Sequence, residues 1–270
     1  MDSTLSFSAL EAVAIAVPVW SLVSHILIAV LAFPVQTLVQ RSSYSKPINE
    51  FLCSLLWTSW SLECVVIGST RSSPLALFTL FIRLMMVPYV FRGAYGNPCN
   101  VLHDHLSKGL NFRQQVIGIC SYVGIQMAAM VCGVMYCTVM WSILGESMSL
   151  DHRKFLDKEL DRFLQVPILI GFLLELFLSF AMYVPRLLMR ESFYRVLAEA
   201  LFVVFLVATF SGLTGAFMNP MVAVACNLAW SNHDLLDHVL VYWCGPLVGA
   251  ALAVAVAKLQ KSRESRLHSD

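Results

Sequence analysis

Charge is what this chain has least of. Asp, Glu, Lys and Arg make up 13% of its 270 residues against 58% apolar ones, about half the charged share of an ordinary soluble domain. That shortage argues against a soluble fold. The mean hydropathy is +0.73, and several apolar runs approach the ~20 residues that a hydrocarbon layer of about 30 Å requires. The chain therefore reads as an all-α polytopic membrane protein. Its net charge of +1 gives no reason to expect nucleic acid as a partner; the lipid bilayer is the partner implied. A C-x-x-C pair is missing, which argues against structural zinc, and so is an N-x-S/T sequon. No basic stretch precedes the first apolar run, so that run reads as a retained span and not as a signal peptide. The eight cysteines do not compensate with a disulfide framework. Cys53, Cys64, Cys120, Cys132, Cys137 and Cys244 fall inside apolar spans, where cysteine behaves as a small hydrophobe. No enzyme site, metal or cofactor is expected.

What is present is a repeated heptapeptide frame. Gly93-Ala94-Tyr95-Gly96-Asn97-Pro98-Cys99 follows one apolar stretch, and Gly215-Ala216-Phe217-Met218-Asn219-Pro220-Met221 follows another. Asn before Pro is a helix-start signal: Asn caps free backbone N–H groups, and Pro sits where its missing N–H costs nothing. Each copy reads as a loop entering a short helix, Pro98 to Leu106 and Pro220 to Leu228. Two interrupted helices at membrane depth point to a substrate path, because irregular backbone survives there only where it is buried in protein or lines water.

The spans arrange themselves around this frame. Residues 9 to 39 form a first apolar run, with Pro18 and Pro34 as kink positions. Asn49 to Gly68 and Pro74 to Phe91 precede the first motif, and Phe112 to Ile143 follows it. Phe163 to Val184 and Val196 to Phe210 precede the second motif, and Val239 to Ala257 follows it. Glu50 and Glu175 occupy matching places in the two halves. The expected layout is thus an extra N-terminal span (1–47), a first repeat (48–144), an outside connecting loop (145–162), a second repeat (163–257) and a basic cytoplasmic tail (258–270). Three spans per half is odd, so the second copy inserts upside down. With the N-terminus outside, twelve of the eighteen basic residues fall in inside segments, as the positive-inside rule favours.

Two Asn-Pro half-helices in an inverted repeat of three spans resemble the aquaporin (major intrinsic protein) family over about residues 48–258. Leu213 to Pro220 and Val241-Tyr242-Trp243-Cys244-Gly245-Pro246 carry the resemblance most specifically. The first motif's Asn-Pro-Cys, the Glu50-Phe51-Leu52 run with Glu63 and the extra leading span resemble the unorthodox or super-aquaporin branch. The resemblance implies passive conduction of water and small neutral solutes such as glycerol, with hydrogen peroxide a further candidate. It also implies a homotetramer with one pore per subunit, in the endoplasmic reticulum or another internal membrane, the plasma membrane remaining open. The bland alternative is a structural or adhesion protein whose pore is shut.

The resemblance also distributes roles. Asn97 and Asn219 would donate amide hydrogens to a passing oxygen, where two helix N-termini disfavour cations; without a pore they are helix caps. Gly93, Ala94, Tyr95 and Gly96, with Gly215, Ala216, Phe217 and Met218, would present a ladder of carbonyls. Water-selective members place an arginine three residues past the second Asn and a histidine twelve before it. Here Val222 and Val207 stand there, with Ala216 and Leu77 at the other two filter positions, which predicts a wider, apolar constriction. Glu50 and Glu175 would brace the loops, or else face the lumen. Cys99 either fills packing space or acts as a redox- or mercurial-sensitive gate; Met221 reads as packing. Arg83 either pairs with Glu63, snorkels or lines a vestibule. His103-Asp104-His105 reads as a wet helix end whose side chains splay. His233 and His238 read as solvated, with a slight case for pH sensing.

Overall fold

The computed structural model describes residues 23, 25–70, 73–148, 152, 156–157, 162–227 and 234–267. All regular structure in those residues is helical. In chain order the helices are α1 (His25–Val39), α2 (Ser45–Thr70), α3 (Ser73–Val90), α4 (Pro98–Ser107), α5 (Phe112–Met148), α6 (Ile168–Ala181), α7 (Val184–Leu188), α8 (Phe193–Thr214), α9 (Pro220–Asn227), α10 (Leu235–Val239) and α11 (Gly245–Leu267). Leu240–Cys244 is a π-turn joining α10 to α11.

Six stretches are long and apolar enough to cross a membrane: Ser45–Gly68, Ser73–Val90, Phe112–Ile143, Ile168–Leu188, Phe193–Thr214 and Leu235–Arg263. Their outward faces are apolar at helical spacing. Val131, Met135, Val139 and Ile143 lie exposed down one stripe of α5, and Leu169, Leu173 and Phe177 down one stripe of α6, as a lipid-facing surface requires. The described part of the leading apolar run is the shorter helix α1, which passes through Pro34; Pro18 lies outside the described residues. Gln36 ties α1 to the bundle by donating to Asn49 Oδ1 at 2.7 Å and to the Val90 carbonyl at 3.2 Å.

Helix ends differ from the expected ones for local reasons. The helix expected from Phe163 starts at Ile168, since Pro167 stands at its N-cap and the residue before a proline avoids helical geometry. The helix expected over Val196–Phe210 is longer at both ends. Ser192 caps it by accepting the Arg195 N–H at 3.2 Å, and it runs on until Gly215, at φ 85°, ends it in the left-handed region. Asp234 starts α10 earlier than the expected Val239, accepting the Leu236 N–H at 2.8 Å.

Packing follows a twofold pattern. α2 lies along α5, and α6 lies along α11, while α3 and α8 face each other. Small residues permit the close crossings: a Cβ on Gly249 would stand 2.3 Å from the Leu176 carbonyl oxygen. The half-helices α4 and α9 fill the space between. α4 packs on α5 and α11, and α9 on α2 and α5.

Candidate functional site

Each half-helix begins at an asparagine in extended or loop backbone. Asn97 (φ −156°, ψ 127°) accepts the Cys99 N–H on Oδ1 at 2.8 Å, with Pro98 in the first turn. Asn219 accepts the Met221 N–H at 3.1 Å. Because Oδ1 is the acceptor in both, the Nδ2 groups are the free donors. Each reaches across to the opposite loop. Asn97 donates to the Met218 carbonyl at 2.9 Å, and Asn219 donates to the Gly96 carbonyl at 3.0 Å. The two motifs are fastened head to head, and one amide hydrogen on each asparagine is left over.

Two buried carboxylates hold the loops that end in these caps. Glu50 accepts the Tyr95 N–H at 2.7 Å and the Gly96 N–H at 2.8 Å, and Gln126 Nε2 donates to it at 2.7 Å. Glu175 accepts the Phe217 N–H at 3.2 Å, the Met218 N–H at 2.9 Å and the Thr214 hydroxyl at 2.7 Å. In both halves the carboxylate binds the two N–H groups just before the Asn. Each loop needs left-handed backbone immediately before its cap, where Gly96 has φ 60° and Met218 φ 50°. Glycine meets the need without strain; methionine does not.

One cavity of about 690 Å³ lies within the bundle. Gly68 and Ser73, at the α2–α3 turn, border one end, and Arg186 and Glu191, at the α7–α8 turn, border the other. Between them it touches Asn97, Asn219, Gly93, Ala94, Tyr95, Gly215, Ala216, Phe217 and Met218. Leu77, Val207, Ala216 and Val222 also border it. Pro88 contributes in a different way. It has no N–H for the Leu84 carbonyl one turn back, and both residues line the cavity, where water can take up the unpaired acceptor.

The remaining site residues of the sequence reading stand behind this wall. Cys99 is fully buried against Tyr183, Ala250 and Ala253, and Met221 packs with Leu62, Val66, Met130 and Trp141. Pro98, Pro220 and Gly96 likewise do not border the cavity: the prolines belong to the buried first turns of α4 and α9. Gly96 lies against Trp57, where a Cβ would come within 2.3 Å of the ring.

Arg83 and Glu63 do not pair. Glu63 accepts Trp141 Nε1 at 2.6 Å and contacts His152 Nε2 at 3.2 Å. His152 is buried, so this part of the connecting segment is tucked into the bundle and is not surface loop; a buried carboxylate needs such donors. Arg83 lines the cavity, with its Cζ 4.2 Å above the Trp57 ring. His238, expected in solvent, is buried beside the Tyr242 ring, 5.3 Å away. His233 lies outside the described residues.

The end near α4 is polar. The Tyr95 hydroxyl donates to Asp104, and Lys108 Nζ is 2.5 Å from the same carboxylate. Partial burial opposes the Asp104 charge, but Lys108 and Tyr95 together hold its carboxyl below the usual carboxylate range. His103 stacks on Tyr183 at 4.3 Å, while His105 Nδ1 lies 2.9 Å from the Val101 carbonyl, so the two histidines diverge. Burial, with the Arg186 charge nearby, pushes His103 down to about 4. Glu199 links Arg186 at 3.1 Å and Arg195 at 3.3 Å at the same end. Sequence reasoning missed Gln126, Thr214, Trp57 and His152, which are ordinary residues in apolar spans or loops. For Gln126 and Thr214, polarity in a membrane helix was the available signal.

Comparison with known proteins adds an independent observation. The family model described as "Major intrinsic protein" matches residues 37–257. Aquaporin-11 of Milnesium tardigradum is 26% identical over 223 residues, covering 82% of this chain and 78% of that protein. Aquaporin-11 of Equus caballus is 25% identical over 245 residues, covering 86% and 85%. Aquaporin-12 of Mus musculus is 30% identical over 189 residues, covering 67% and 62%.

Proposed function

The chain belongs to the major intrinsic protein family of membrane channels, and on that premise we propose that it conducts water and small neutral solutes, glycerol and hydrogen peroxide among them, through the cavity between its two half-helices. The observation that carries this reading is the continuity of one cavity. It touches both capping asparagines and reaches from the α2–α3 turn to the α7–α8 turn. Residues 93–95 and 215–218 border it, and the carbonyls there that Asn97 and Asn100 do not take offer acceptors, while the asparagine amides offer donors. A solute there exchanges hydration for these groups at little net cost.

The four filter positions Leu77, Val207, Ala216 and Val222 are all apolar. Without an arginine among them the constriction is wider and offers no fixed donor fork, which favours glycerol and peroxide over strict water selection. We assign the chain a homotetrameric assembly with one pathway per subunit, an outside N-terminus, the leading run as an extra span, and an internal membrane.

Swelling of proteoliposomes containing the purified protein tests the function. Water, glycerol and peroxide fluxes above those of empty vesicles are expected, reduced about tenfold or more by Asn219→Asp. The variant's carboxylate caps α9 but cannot donate to the Gly96 carbonyl or to a solute. Wild-type flux equal to that of empty vesicles would instead favour the closed, structural role.

A further inference from the structure

Resting on the pathway reading above, we propose that Arg83 is the fixed cation that sets charge selectivity in this pore, filling from α3 the role that no filter residue fills. Val222, where water-selective relatives carry arginine, is apolar, yet the cavity it borders does contain a guanidinium. Arg83 is 4% exposed and lines that cavity together with Leu77, Asn97 and Asn219. It lies six residues beyond Leu77, about 9 Å further along the helix axis.

The partners of Arg83 are those of a charge kept available. Both its hydrogen bonds leave from Nη1, to Ser61 Oγ at 2.5 Å and to the Trp57 carbonyl at 3.2 Å. Its Nε has no partner, and the Trp57 ring supports the guanidinium from below. Among the described residues no carboxylate pairs with it. The acids of neighbouring α2 are already committed, Glu63 to Trp141 and His152 and Glu50 to the first loop. A buried charge without a counter-ion is costly unless water or a ligand solvates it. Here the cavity supplies that solvation. The same charge then repels protons and metal cations, adding to the positive ends of α4 and α9. Neutral solutes meet no such barrier.

Two fluxes measured in the same proteoliposomes separate the possibilities: neutral-solute swelling, and proton or potassium leak under an imposed potential. Arg83→Gln removes the charge while keeping a donor for Ser61, and Arg83→Lys keeps the charge. Interaction between unit charges a few ångströms apart at an effective dielectric of about 20 amounts to several RT. Cation leak through Arg83→Gln is therefore expected to rise about tenfold or more, with swelling within about threefold of wild type. Arg83→Lys is expected to stay tight. If Arg83→Gln fails to fold, Ser61→Asp, which sets a carboxylate against the guanidinium, neutralises the same charge without removing Arg83; it is expected to raise cation leak as Arg83→Gln does, and unchanged cation exclusion in a folded Ser61→Asp would count against the role of Arg83. Unchanged cation exclusion in Arg83→Gln with normal swelling would overturn the role of Arg83 and leave the pathway intact. Absence of swelling in the wild type would overturn the pathway, and this inference with it.

Discussion

Asn97 and Asn219 each do two things at once: Oδ1 caps a helix and Nδ2 ties that helix to the opposite loop. The capping half is readable from Asn-Pro alone. The crossing half is not, because it depends on two motifs meeting in space. Cysteine shows the same limit. At Cys99 the sequence leaves packing and a mercurial-sensitive gate both open; the thiol is in fact sealed among Tyr183, Ala250 and Ala253, as packing requires. The thiol that borders the cavity is Cys64, half-buried and 3.2 Å from Thr79 Oγ1. Apolar context hid it, since nothing in the local sequence tells which face of α2 meets the lumen. A membrane-permeable mercurial is therefore expected to block swelling of the wild type. Cys64→Ser should lose that block and Cys99→Ser should keep it; block persisting in Cys64→Ser would show that another thiol governs the path.

At the scale of the element, the half-helices were legible in outline and their supports only through family resemblance. The repeated frame marks where α4 and α9 start, and glycine marks where the loops turn. The demand on each glycine, however, is set by neighbours distant in sequence. Gly93, at φ 79°, has open space where a Cβ would go, whereas a Cβ on Gly96, at φ 60°, would meet Trp57 at 2.3 Å. Gly93→Ala should then cost about 1 kcal/mol, the left-handed penalty alone. Gly96→Ala should cost about 3 kcal/mol, because that penalty is joined by overpacking against a ring that also carries Arg83. Thermal unfolding in detergent, compared between the two variants, checks the difference; equal losses would mean that Trp57 gives way freely. Helix ends were the least legible feature. The caps at Ser192 and Asp234 extend helices beyond their apolar runs, and Pro167 shortens one.

Across the whole molecule, the six membrane-capable helices could be read from hydropathy, since that is a property of long segments, whereas the described part of the seventh expected span is the shorter helix α1. The enclosure of the pathway could not be read that way. Its walls come from α2, α3 and α8 together with the loops before α4 and α9, and all of them belong to one chain. One chain thus supplies residues bordering the cavity on all of these elements, both capping asparagines among them. On the proposed pathway through each chain, an associated subunit conducts by itself, and a defective neighbour removes only its own share of flux. Vesicles reconstituted with co-expressed wild-type and Asn219→Asp chains at fixed total protein should therefore swell at a rate that falls linearly with the wild-type fraction. A steeper fall, following the second or fourth power of that fraction, would mean that the conducting path lies between subunits and that the cavity within each chain is not the route.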